Sequence, residues 1–115
     1  MMRAPVRLWL CVAPTDMRCS YDGLAARVRK HLGGDPLDGE GFVFINRRRT
    51  QMKCLYFERG GYVIWMKRLE RGHFAAPAPR AGTASVALSE TEFAALIKGL
   101  DIAVKRRRKR WQGLP

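Results

Sequence analysis

Residues able to do covalent or metal chemistry are few in this chain, and they are scattered. Its ten Asp and Glu side chains run from Asp16 to Asp101. A metal-dependent phosphoryl-transfer site needs two or three carboxylates converging on a divalent ion, and no spacing in this set forces convergence. Asp22, Glu90 and Glu92 stand at the starts of helical patterns, where dipole and capping roles account for them. Asp35 and Asp38 suit the turn cluster "DPLDGEG". Cys11, Cys19 and Cys54 form no CxxC pair, and His31 and His73 lie far from any cysteine cluster. That excludes a disulfide framework and a zinc spacing, and fits a reducing cytoplasm. Ser20 and Ser89 precede apolar-periodic stretches and read as helix caps rather than nucleophiles. Glycine-rich phosphate cradles are absent. The expectation is a protein with no catalytic residue, no metal and no cofactor.

The cationic residues carry a stronger signal. Twenty-two Lys and Arg face those ten acids, a net charge of +12. Such an imbalance repels itself, and a polyanion relieves it. The charges fall in three clusters. Arg47, Arg48 and Arg49 occupy a hairpin-length connection, with Lys53 on the strand that follows. Lys67, Arg68 and Arg71 lie in "KRLERGHF", directly after the apolar run "YVIWM". Lys105, Arg106, Arg107, Arg108, Lys109 and Arg110 form an unbroken block that holds half of the net charge. Each cluster alone also reads as a solvated surface; together they outline a phosphate-binding face. With about six phosphates neutralised, affinity would fall roughly a thousandfold between about 50 and 200 mM salt. Base-specific reading has no signature here, since no helix-turn-helix or zinc-finger pattern is present and phosphate contacts carry no sequence information. Trp9, Tyr56, Phe57, Tyr62, Trp65 and Phe74 can stack on bases only if exposed; in apolar strands they read as core. Trp111, beside the basic block, is the better stacking candidate.

The elements that must position these charges follow from periodicity. A strand is predicted over 6–12, rich in β-branched and aromatic residues. Its apolar run "LWLCVA" is too short for a signal peptide, and nothing approaches the ~20 apolar residues of a membrane span. "SYDGLAARVRKHLGG" reads as a helix capped by Ser20, with Tyr21, Leu24, Val28 and Leu32 on one face and Gly33 as its stop. "FVFI", "MKCLYF" and "YVIWM" then form an antiparallel three-stranded meander, the last turn made by Gly60-Gly61. One face of the sheet is expected to carry the helices, with its other face partly occupied. Residues 75–85 read as a Pro/Ala/Gly linker. Ser89 and Glu92 form a capping box, with Leu88 stapled onto Phe93, opening a second helix whose stripe is Phe93, Leu96, Ile97, Leu100 and Val104; Gly99 interrupts it. The predicted fold is α+β, a small antiparallel sheet of the N-terminal strand plus the meander, packed with two helices. Residues 1–104 form one domain and 105–115 a basic tail.

Several ordered pieces, "PTDMR", "DGLA", "FVF" before an arginine-rich turn, and "KRLERGHF", together resemble a known family. They look like the small accessory protein, Orf2 or TnpB, of the insertion sequence sixty-six transposons, over about Val6 to Ile102. That TnpB is unrelated to the RNA-guided nuclease of the same name. The resemblance implies a bacterial cytoplasmic protein that assists transposition beside a separate transposase, to which the DNA cleavage chemistry belongs. Cys19 stands where a basic residue is common in that family, "AAP" replaces a usual Val-Trp-Pro stretch after Phe74, and the "KRRRKRW" tail is particular to this chain.

The expected function is therefore a non-catalytic accessory factor of transposition that binds DNA through its basic surface. The alternative is an adaptor that docks on the transposase without touching DNA. DNA and the transposase are the expected partners, a membrane is not, and the oligomeric state is left open.

Overall fold

The computed structural model describes residues 7–76 and 82–99. The basic block at 105–110, Trp111, the helical positions Leu100 and Val104, and the 104/105 domain boundary lie outside the described residues.

The meander forms as expected. Strands β2 (Gly41–Ile45), β3 (Gln51–Glu58) and β4 (Gly61–Arg68) pair antiparallel, with Val43 opposite Cys54 and Cys54 opposite Trp65. The β3–β4 turn sits one residue earlier than predicted. Arg59 and Gly60 take the positive φ values, +49° and +82°, while Gly61 already pairs with Glu58. Two positive φ angles at the turn centre match the right-handed twist of the flanking strands.

Strand β1 (Leu8–Cys11) joins the sheet beside β2, but in parallel, with Trp9 opposite Phe42. The sheet is thus mixed rather than antiparallel throughout, within the α+β class. The physical reason is the helix between them. Parallel neighbours need a long crossover, and α1 (Tyr21–Arg27), continued by a wider π turn over Val28–Leu32, supplies it. A fifth strand, β5 (Ser85–Leu88), not predicted from sequence, begins at the last residue of the expected linker and pairs antiparallel on the other side of β1. The strand order is β4-β3-β2-β1-β5.

The helices do not share one face of this sheet; each covers a face of its own. Leu24 and Ala25 of α1, with Val28 of the π turn, pack on Phe42, Phe44 and Leu55. On the opposite face Leu96 of α2 (Glu90–Lys98) and Phe74 pack with Leu10, Val43, Ile45, Met52 and Tyr56. Coverage on both sides explains why β2 reads as an unbroken apolar run, every residue of it buried.

Helix termini separate the two cap predictions. At α2 the capping box is complete: Ser89 Oγ accepts from Glu92 N–H (3.0 Å), and Glu92 Oε1 accepts from Ser89 N–H (2.9 Å). These bonds hold the Glu92 carboxyl below its usual range. At α1 the Ser20 side chain makes no cap bond. Tyr21, at the top of the predicted stripe, is exposed, while Leu24 and Val28 are fully buried. Gly33 ends the π turn with φ +67°, as its role as a stop requires. Gly99 does not interrupt α2 but closes it, at φ +77°, with its N–H donating to Leu96 C=O at 3.1 Å.

Candidate nucleic-acid interface

Parallel pairing of β1 and β2 brings the segments after both strands to one end of the sheet. The loop after β1 is tied there directly, Thr15 N–H donating to Ile45 C=O at 2.9 Å. Beside it runs the β2–β3 turn that holds the arginine triplet.

That turn is built by Asn46. Its Oδ1 accepts from the N–H groups of Thr50 (2.8 Å) and Gln51 (3.0 Å), and its Nδ2 donates to Thr50 Oγ1 (3.2 Å). The backbone closes the same loop, Arg49 N–H donating to Asn46 C=O at 3.0 Å. Arg49 adopts φ +58°, a left-handed conformation that an arginine takes only when the surroundings over-determine it. Asn is suited to the first position because its short amide satisfies the following backbone groups itself.

The "KRLERGHF" segment clamps the turn from the other side. Leu69 N–H donates to Thr50 C=O (2.8 Å), and Phe74 N–H donates to Arg49 C=O (2.7 Å). Phe74 is completely buried and anchors that segment in the core. The arginine turn and the charged corner after β4 are therefore one rigid body.

Arg47, Arg48 and Arg49 are exposed, and among the described residues their side chains form no hydrogen bond or ion pair. Arg68 is oriented by Glu70, Nε to Oε2 at 2.9 Å, in an exposed pair. Arg71 is also exposed. The two lysines are placed differently. Lys53 lies on the α1 face and donates to Cys19 C=O at 2.7 Å. Lys67 lies on the α2 face and donates to Ile97 C=O at 2.5 Å, where its charge complements the carboxyl end of that helix. Of the residues singled out from sequence, Arg47, Arg48, Arg49, Arg68 and Arg71 share the corner, Lys53 and Lys67 turn away from it onto the two faces of the sheet, and Lys105 to Arg110 lie outside the described residues.

Sequence reasoning passed over Asp16 and Arg18 as binding residues. Arg18 grips Asp16 through Nε (3.1 and 3.0 Å) and Nη2 (2.7 Å), and its own N–H donates to Asp16 Oδ1 at 2.9 Å. Hydrogen bonds from the Arg18 side chain and then its backbone hold the Asp16 carboxyl at a pKa of about 2. Both residues line a cleft of about 590 Å³, whose other wall is Asn46, Arg47, Arg48 and Gln51. The signal was the "PTDMR" string itself, but only parallel strand pairing sets it against the arginines. Thr15, at the base of the same loop, has a buried hydroxyl with no partner among the described residues. On the other side of the turn a groove of about 910 Å³ has an apolar floor, including Leu10, Val86, Leu88 and Leu96, and a rim of Arg47, Arg48, Arg49 and His73.

Phe57 and Tyr62 are half-buried, pack edge-on with ring centroids 5.5 Å apart and flank the β3–β4 turn at the opposite end of the sheet from Arg47–Arg49; the other strand aromatics offer no open stacking face. Tyr56 and Phe74 are buried, Trp9 is half-buried with Nε1 donating to Glu40 Oε1 at 2.8 Å, and Trp65 packs edge-on to Phe93. Among the described residues no three His, Cys, Asp or Glu side chains come together as a metal site. The three cysteines are free, and burial pushes the Cys54 thiol up to about 12. No helix among the described residues is long and apolar enough to cross a membrane.

An α+β domain with an arginine-tipped turn at the end of its sheet is the frame to which relatives can be compared. Residues 6–107 match the family described as IS66 Orf2 like protein, and the chain belongs to that family, the accessory proteins of IS66 insertion sequences. It is similar to two proteins of Sinorhizobium fredii (strain NBRC 101917 / NGR234). One, uncharacterized protein y4hO, is 38% identical over 96 residues, covering 84% of this chain and 82% of the relative. The other, uncharacterized protein y4jC, is 35% identical over 103 residues, covering 89% and 86%. No solved structure gives a significant match.

Proposed function

We propose that this protein serves transposition as a non-catalytic DNA-binding factor in the bacterial cytoplasm, acting beside a separate transposase. The observation that carries the reading is the turn at Arg47–Arg49. Three guanidinium groups without partners among the described residues stand on a loop whose backbone is pinned at Asn46, Arg49, Thr50 and Gln51. Holding like charges together in a rigid turn costs stability, and a row of phosphates offsets that cost. Arg68 and Arg71 extend the same edge, and the basic block at 105–110, outside the described residues, carries six further positive charges.

A salt-titrated mobility shift of the full chain on duplex DNA tests it. Tight retention near 50 mM salt, lost by roughly a thousandfold near 200 mM, is expected for about six phosphate contacts. Weak retention that ignores salt would favour a second reading, an adaptor that docks on the transposase. The apolar groove rimmed by Arg47–Arg49 supports that alternative, because it suits an acidic protein segment.

A further inference from the structure

The Asp16–Arg18 pair is out of place on a surface that does nothing but track phosphates. A carboxylate beside a phosphate-binding arginine repels the ligand, and Asp16 takes up both Nε and Nη2 of its arginine, where Glu70 takes only the Nε of Arg68. Stability does not explain it either, because exposed ion pairs contribute little, and here the Arg18 side chain is 91% and the Asp16 side chain 51% exposed. What the pair does accomplish is to fix the plane of one guanidinium. Arg18 spends its Nε edge on Asp16, and Asp16 is itself held by the Arg18 backbone N–H. The loop beneath is pinned by Cys19 N–H to Asp16 C=O (3.1 Å) and by Thr15 N–H to Ile45 C=O (2.9 Å). A guanidinium has five donors; with Nε and one Nη2 N–H taken by Asp16, the Nη edge keeps two parallel N–H groups, on a side chain that is exposed and lines the same cleft as Arg47 and Arg48. Two such donors match O6 and N7 of guanine, the commonest specific contact in the major groove, which is wide enough to admit a two-stranded turn such as β2–β3.

We propose that Arg18, oriented by Asp16, reads a guanine in the major groove while Arg47 and Arg48 hold the neighbouring phosphates. This rests on the DNA-binding reading and adds a specificity-determining residue to it. The division of labour is physical: a mobile arginine can follow any phosphate, whereas a base edge is distinguished only by donors held in a fixed plane.

The test is selection from a duplex pool with a randomised central segment, using the full-length protein, R18A, D16N and R47A/R48A, followed by affinities on the selected duplex and a scrambled one. The wild type is expected to enrich guanine at one position and to prefer the selected duplex by roughly ten- to a hundredfold. In R18A that ratio falls to near one. D16N, which keeps the cation but loses the Oδ2 acceptor of Nε and Nη2, loosens its plane and lowers the ratio without lowering affinity for scrambled DNA. R47A/R48A weakens both duplexes alike and reduces the salt slope by about two. An unchanged guanine preference in R18A, or no enriched base in the wild type, overturns the inference while leaving DNA binding intact. If no duplex is retained even at low salt, both readings fall together.

Discussion

Asn46 is the side chain on which the arginine turn depends. It satisfies two backbone N–H groups and one hydroxyl within five residues, so its loss leaves half-buried donors unpaired. N46A is expected to lower stability by about 1–3 kcal/mol, read from urea unfolding. It should also weaken duplex binding in a mobility shift although no charge changes. Unaltered affinity would mean that the turn need not be rigid. The triplet Arg47–Arg49 was legible in the sequence because a run of like charge is visible without geometry. The role of Asn46 was not, since a side-chain bond to the backbone four residues on exists only once the turn has its shape. Asp16 and Arg18, two residues apart in a polar loop, resemble any solvated pair until strand pairing shows what they face.

At the scale of elements, the meander and the second helix were readable for local reasons. Apolar runs of strand length were separated by turn-length connections, and the Ser89/Glu92 box marks a helix start from residue identities alone. The parallel β1–β2 pair was not readable, because the pattern of a four-residue buried strand is the same in either direction. Strand β5 was hidden by brevity: Ser85–Leu88 has only four residues and follows a stretch rich in Pro, Ala and Gly. Gly99 was taken for a flaw inside a longer helix, yet it ends α2 with φ +77°. A Cβ there would stand 2.7 Å from Leu69 Cδ1. The leucine methyl can swing aside, but the left-handed backbone cannot be relieved. G99A is therefore expected to cost about 1–2 kcal/mol, measured by thermal or urea unfolding. A neutral result would show that α2 extends past Lys98 in solution.

For the molecule as a whole, the parallel crossover decides function as much as fold. It collects the loop after β1, the arginine turn and the corner after β4 at one end of a sheet whose faces are both sealed by helices. Charge is left to occupy that end, and the two lysines that reach away from it serve α1 and α2 instead. The net charge of +12 is thus given direction by topology. The most direct measurement is a map of backbone amide shifts in the full-length protein during titration with a short duplex at low salt. The account predicts that, among residues 7–76 and 82–99, the largest changes fall at 14–18, 46–51 and 67–74. Changes concentrated instead on α1 or the β3–β4 turn, or none at saturating duplex, would contradict it.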